Sequence, residues 1–163
     1  MDERLAALEA RVAKLEGAGG DSETSQPVDP QRLWILEGLR QSLPGDGGVA
    51  FAGTVTTGVG LAQYQWTRPT STLTEHPWDD QLERIAAVAH PVRGAILRRL
   101  LDGPATVADL VEAGVVTSTG TAYHHVAALT AAGWLTKQPG GRLAVPVGRI
   151  VPLLTLITCG EDH

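Results

Sequence analysis

The chain has 163 residues, 43% apolar and 19% charged, enough for one ordinary domain or two small ones with a real core. Its one cysteine, Cys159, excludes an internal disulfide and a cysteine-based metal cluster, and a reducing, cytoplasmic setting is expected. The net charge of −5 is uneven, with six Lys/Arg against ten Asp/Glu in residues 1–78 and seven against eight in residues 79–163, so a DNA partner is compatible with the second half if its basic groups share a face.

Residues 1–16, "MDERLAALEARVAKLE", are charged throughout and lack the apolar stretch of a signal peptide. Met1, Leu5, Leu8, Val12 and Leu15 step by the a/d pattern of a coiled coil. With Leu5 and Val12 at a, Arg4 faces Glu9 of a parallel partner and Arg11 faces Glu16, so a parallel homodimer is expected. Two heptads are too short to hold it alone. A frayed amphipathic helix packed on its own chain is the alternative. Residues 17–28 read as a flexible, Gly-rich linker.

Residues 29–77 read as a helix plus β-hairpin module. Asp29 caps the helix, Pro30 takes its first position, and Leu33, Leu36, Leu39 and Leu43 form its stripe. "VAFAGTV" and "VGLAQYQW" then read as two strands around Thr56-Thr57-Gly58. Phe51, Tyr64 and Trp66 either line a pocket or pack on the preceding helix. Dimerisation, regulation, and binding of a protein partner or small ligand are the roles open to this module.

Residues 78–163 change pattern. Asp79 or Asp80 caps a helix with Leu82, Ile85, Ala86 and Ala89 on one face. Pro91 starts a second helix through Ile96, Leu97 and Leu100. "ATVADLVEAG" forms a short third, capped by Thr106 and ended by Gly114. "TSTGTAYHHVAALTAAGWL" holds the fourth. A hairpin follows around Pro139-Gly140-Gly141, and then a strongly apolar helix over "RIVPLLTLITCG", with Pro152 in its first turn and Cys159 buried. That order is a winged helix-turn-helix. The expected fold class is therefore α+β: a winged helix-turn-helix domain preceded by a short coiled coil and a small helix-plus-hairpin module. The longest apolar run, 150–158, is far shorter than the ~20 residues of a membrane helix, and no membrane partner is expected.

These residues resemble a known family. Ala89-His90-Pro91-Val92-Arg93, then Gly103-Pro104-Ala105-Thr106-Val107, then Ser118, Thr121, His124, His125, Leu129, Ala132 and Gly133 in one helix are similar to the motifs of ArsR-like (arsenic-repressor type) winged-helix transcriptional regulators. The likeness spans roughly residues 79–146, about half the chain. It implies a homodimeric, bacterial-type regulator of transcription, with the fourth helix in the major groove of double-stranded DNA and the wing on the backbone or minor groove. Many such proteins sense metals through cysteines on the helix before the recognition helix. This chain has no Cys or His between Pro91 and Tyr123, so no thiolate metal sensor is expected.

On a wheel of about 100° per residue, Ala122, Val126, Leu129 and Gly133 face the core. Thr117, Gly120, Thr121, His124 and Ala128 lie opposite, and His125 sits at the core's edge. Adjacent histidines diverge, whereas a zinc pair on one helix needs i, i+4 spacing, so no metal site is expected. The DNA-contacting set is Ser118, Thr119, Thr121, Tyr123, His124 and His125 on the helix, Lys137 and Arg142 beside the wing tip, and Arg93. No Arg, Lys, Asn or Gln stands on the outward face, so base readout through Thr, Tyr and His is expected to be modest. The last helix is expected to be buried, either in a dimer interface through Leu153, Leu154 and Ile157, together with the helix at 80–89, or inside its own chain. No nucleophile motif or phosphate loop is present, and neither catalysis nor a cofactor is expected. The alternative function is a winged-helix protein-interaction or dimerisation module that does not bind DNA specifically.

Overall fold

Residues 34–43 and 45–162 are described by the computed structural model. The expected coiled coil with Leu5, Leu8, Val12 and Leu15, the linker at 17–28, and the Asp29–Pro30 helix start lie outside them. Helix α1 (Trp34–Ser42) belongs to a unit distinct from the one formed by Leu43–His163. Glu37 meets Arg40 at 3.7 Å and accepts from Gln41 at 3.0 Å, both at helical spacing on an exposed face.

The larger unit is mixed α+β. Strands β1 (Gly48–Thr57) and β2 (Gly60–Pro69) pair antiparallel from Gly48 opposite Pro69 to Thr57 opposite Gly60. Alternation sends Phe51 and Val55 of β1, with Ala62 and Tyr64 of β2, to one face, and all four join the main hydrophobic core. Helix α2 (Thr70–Thr74) follows β2 at once and has no counterpart in the sequence reading.

Helix α3 (Asp79–Val88) begins after Trp78, whose side chain makes no cap bond. Asp79 and Asp80 are thus not caps but first-turn residues, where carboxylates favour the helix dipole. Only Ala87 and Val88 of α3 are buried. The expected inward stripe of Leu82, Ile85, Ala86 and Ala89 is exposed. Its periodicity is real, but among the described residues no other element covers it.

Helix α4 (Pro91–Leu101) is capped by His90, whose Nδ1 accepts from the Val92 N–H at 3.2 Å. Ile96, Leu97 and Leu100 are its buried stripe. Helix α5 (Val107–Glu112) opens on a capping box: Asp109 N–H donates to Thr106 Oγ1 at 3.2 Å, and Thr106 N–H donates to the Asp109 carboxylate at 2.7 Å. It closes on Gly114 at φ +68°, where Val115 N–H reaches the Leu110 carbonyl and Gly114 N–H that of Val111. A side chain at Gly114 would strain this left-handed position, which sets the turn into helix α6 (Thr119–Ala131).

Strands β3 (Thr136–Gln138) and β4 (Arg142–Ala144) form a second, shorter hairpin around Pro139–Gly141. Ala105 pairs with Leu143 through two backbone hydrogen bonds of 3.1 and 2.7 Å, so the segment before α5 adds a third strand position to that sheet.

Helix α7 (Val147–Thr158) starts as soon as the hairpin ends, with Pro146 at the cap and no side-chain cap bond. Pro152 therefore lies inside the helix rather than in its first turn. Ile150, Val151 and Leu153 are buried in the core that also holds Ala62 of the first hairpin. Three expectations change accordingly. The first hairpin is not part of a separate 29–77 module, because Leu43–His163 is one compact unit and that hairpin packs on α7. Leu153 is covered within its own chain, Leu154 is half-buried, and Ile157 alone of the three is exposed. Cys159 is exposed at the end of α7, not buried. Phe51 and Tyr64 stack at 5.8 Å and Tyr64 and Trp66 at 6.1 Å, with the Arg68 guanidinium 4.0 Å over Trp66. Among the described residues, no helix is long and apolar enough to cross a membrane.

The two-residue turn of the first hairpin rests on the end of α4: a Cβ added at Gly58 would collide with the Asp102 carbonyl. Gly58→Val is expected to destabilise the protein by about 1–3 kcal/mol, the usual cost of forcing atoms into a packed contact. Thermal unfolding reads this directly. An unchanged melting temperature would show that the tip and Asp102 do not hold one another.

Candidate nucleic-acid interface

Helix α6 is built so that one side is fixed and the other is free. Ser118 caps it by accepting from Thr121 N–H at 3.2 Å, and the two hydroxyl oxygens are 2.9 Å apart. Ala122, Val126 and Leu129 are buried beneath it. At its C-terminus, Gly133 at φ +73° lets Trp134 N–H bond the Leu129 carbonyl at 2.9 Å. Trp134 in turn donates from Nε1 to the Arg84 carbonyl at 2.9 Å, tying α3 to this corner. Arg149 stacks its guanidinium 5.4 Å from the same indole.

The free side carries Thr117, Ser118, Thr119, Gly120, Tyr123 and His124, all exposed, with Thr121 half-buried beside them. Four of the expected contact residues are thus open to solvent, Ser118, Thr119, Tyr123 and His124, with Thr121 partly so; they are spread around the start of the helix rather than along one stripe. Lys137 is exposed on β3 and lines, with Tyr123, a groove between α6 and the second hairpin, so it belongs to the same surface.

Three expected members stand differently. His125 is 9% exposed and points inward, so it seats the helix and makes no outward contact. Its ring centroid lies 4.7 Å from that of His90 and 5.4 Å from that of His124, and its Nδ1 has no hydrogen-bond partner. Burial, then the neighbouring His90, His124 and Arg93, hold its imidazole below the usual histidine range. Arg93 donates from Nη2 to the Ala86 carbonyl at 2.9 Å and lines a cleft of about 560 Å³ with Asp80 and Glu83. It clamps the end of α3. Arg142 remains exposed but donates from Nη2 to the Pro104 carbonyl at 2.7 Å. Nearby Asp109 has its carboxyl held below the usual range by the backbone and hydroxyl of Thr106, with smaller help from Arg142 and Arg99. Arg142 therefore braces the second hairpin against the start of α5.

The electrostatic signal that reading residue types alone missed is one of omission. Between Glu112 and Glu161 the sequence has no carboxylate side chain, while Lys137, Arg142 and Arg149 all fall there. The segment that builds α6 and the second hairpin is cationic within an acidic chain. Its net sign was countable without coordinates. The pairing of Ala105 with Leu143, and the groove beside Tyr123, were not. Among the described residues, no three His, Cys, Asp or Glu side chains converge as a metal-ligand set.

No family model, curated protein or solved structure matches this chain.

Proposed function

We propose that residues 79–158 form a winged helix-turn-helix and that the protein is a homodimeric, DNA-binding transcriptional regulator of ArsR-like type without a cysteine metal site. The observation that carries this reading is the surface of α6 and the second hairpin: an exposed run of hydroxyls, Tyr123 and His124 at a helix start, with Lys137 beside it and no carboxylate in that part of the sequence. Helix N-termini and hydroxyls suit phosphate oxygens, and a helix of this length fits a major groove. The α5–Gly114–α6 turn supports the helix-turn-helix assignment, and the three-position sheet of Ala105, β3 and β4 supports the wing.

The chemistry of α6 sets the expected selectivity. Its outward groups are hydroxyls, one phenol and one imidazole, and no Arg, Lys, Asn or Gln is present to pair bidentately with a base. Phosphate contacts then supply most of the affinity, and each base contact contributes little. The competing reading, an interaction module on the same fold, draws on this same shortage of base-reading side chains.

Binding of the full chain to the DNA upstream of its own gene, followed by fluorescence anisotropy across a salt series, separates the two. A steep fall of affinity with salt is expected. Lys137→Ala is expected to weaken binding to every sequence alike and to lower the salt slope by about 1. Arg142→Ala is expected to cost stability as well as affinity, since it frees the Pro104 carbonyl. No binding to any fragment at low salt would overturn the DNA reading in favour of the interaction module.

A further inference from the structure

The groove between α6 and the second hairpin has a volume of about 790 Å³, within the range of small-molecule sites. Its floor is apolar: Val126 and Leu143 are almost wholly buried, and Ala127 and Ala131 form the helix wall. One charged side chain lines it, Lys137, and no carboxylate does. Tyr123 brings a phenol to the same groove. Thr130 also lines it, and its hydroxyl has no solvent contact and no hydrogen-bond partner. A helical threonine ordinarily bonds back to the preceding turn, so this hydroxyl is an unmet donor and acceptor.

We propose that this groove binds an aryl carboxylate, an amphipathic organic monoanion. The carboxylate pairs with the Lys137 ammonium and accepts from the Tyr123 hydroxyl. The planar apolar body lies on Val126, Leu143 and Ala127. A small rotation of Thr130 turns its hydroxyl to the face of the aromatic ring, a weak donor contact. A DNA strand is the poorer occupant, because a phosphate backbone needs several donors and this floor offers it methyl groups. A dianion is poorer as well, with a single cation to meet it.

This site stands without DNA. Its regulatory meaning rests on the reading above: Tyr123 and Lys137 are also DNA-facing, so the bound acid and DNA exclude one another.

The probe is 2-naphthoate, titrated into the full chain and followed by backbone amide NMR, with its methyl ester as the control. Saturable shifts are expected at Ala127, Gly140 and Leu143. The ester is expected to bind about tenfold more weakly, having lost the charge-assisted contact. Lys137→Met is expected to reproduce that loss, and Ala127→Trp, at an exposed position, to abolish the shifts while the melting temperature is kept. Absence of saturable shifts at millimolar probe, equal binding of acid and ester, or shifts that survive Ala127→Trp would overturn the proposal. A probe that binds but does not release bound DNA leaves the groove standing and removes the DNA face instead.

Discussion

If the chain is the homodimer proposed above, replacing Leu82 and Ile85 together by glutamate is expected to convert it into monomers. Trp78, Leu82 and Ile85 follow one another on one side of α3 and are 55%, 55% and 42% exposed. Trp78 donates from Nε1 to the Leu73 carbonyl at 2.6 Å, which fixes the indole with its face open. A contiguous apolar face of this kind is what an isologous interface buries, each copy covering the other. Burying such a side chain contributes roughly 1.5–3 kcal/mol, and the two-fold axis counts every residue twice. The double variant replaces that gain with four carboxylates facing one another, which costs several kcal/mol more. The dimer dissociation constant is expected to rise at least about 100-fold, since each 1.4 kcal/mol is tenfold. Light scattering in solution measures the mass, and unchanged circular dichroism is expected because both side chains already face water. On the proposed DNA reading, affinity for DNA falls with it, because a monomer reaches one half-site. An unchanged mass, with dissociation on removal of residues 1–16 instead, would place dimerisation wholly in the N-terminal heptads.

That face also shows where sequence reading stops. The helical spacing of Leu82, Ile85 and Ala89 is visible in the sequence, and the helix is there. Periodicity reveals that a face is apolar but not what covers it, so exposed and core-facing stripes read alike. The start and end of α5 were legible because their chemistry is local: Thr106 caps it and Gly114 ends it, while the cap by Ser118 and the left-handed Gly133 use equally local chemistry that the sequence reading assigned to DNA contact and to the core face. The first hairpin was legible as two strands. Its place on α7 was not, since contact between Ala62 and residues near Val151 spans most of the unit and leaves no local trace. Arginine roles were the least legible. Arg93 and Arg142 read as phosphate binders by type, and each also holds a backbone carbonyl. Only the three-dimensional neighbour distinguishes a free guanidinium from a clamp.

His125 makes the stability of the α6 seat depend on pH. The unfolded chain takes up its proton near the ordinary value of 6.5, and the folded chain resists below that because the ring is buried among His90, His124 and Arg93. The unfolded state then binds more protons, so stability is complete above about 6.5 and falls as acid carries the pH below it, by up to about 1.4 kcal/mol per pH unit. His125→Leu is expected to flatten the acid slope. It removes a buried nitrogen that has no partner, so it is expected to leave stability near neutral pH unchanged or higher. His125→Lys, which buries an uncompensated charge at the same place, is expected to cost about 3 kcal/mol or more. Chemical denaturation at pH 5 and at pH 7.5 compares all three chains. An acid slope in His125→Leu as steep as in the wild type would place the effect outside His125. If His125 carries it, the loosened ring lies beside His124, and on the proposed DNA reading affinity for DNA weakens over the same pH window even where the fold survives.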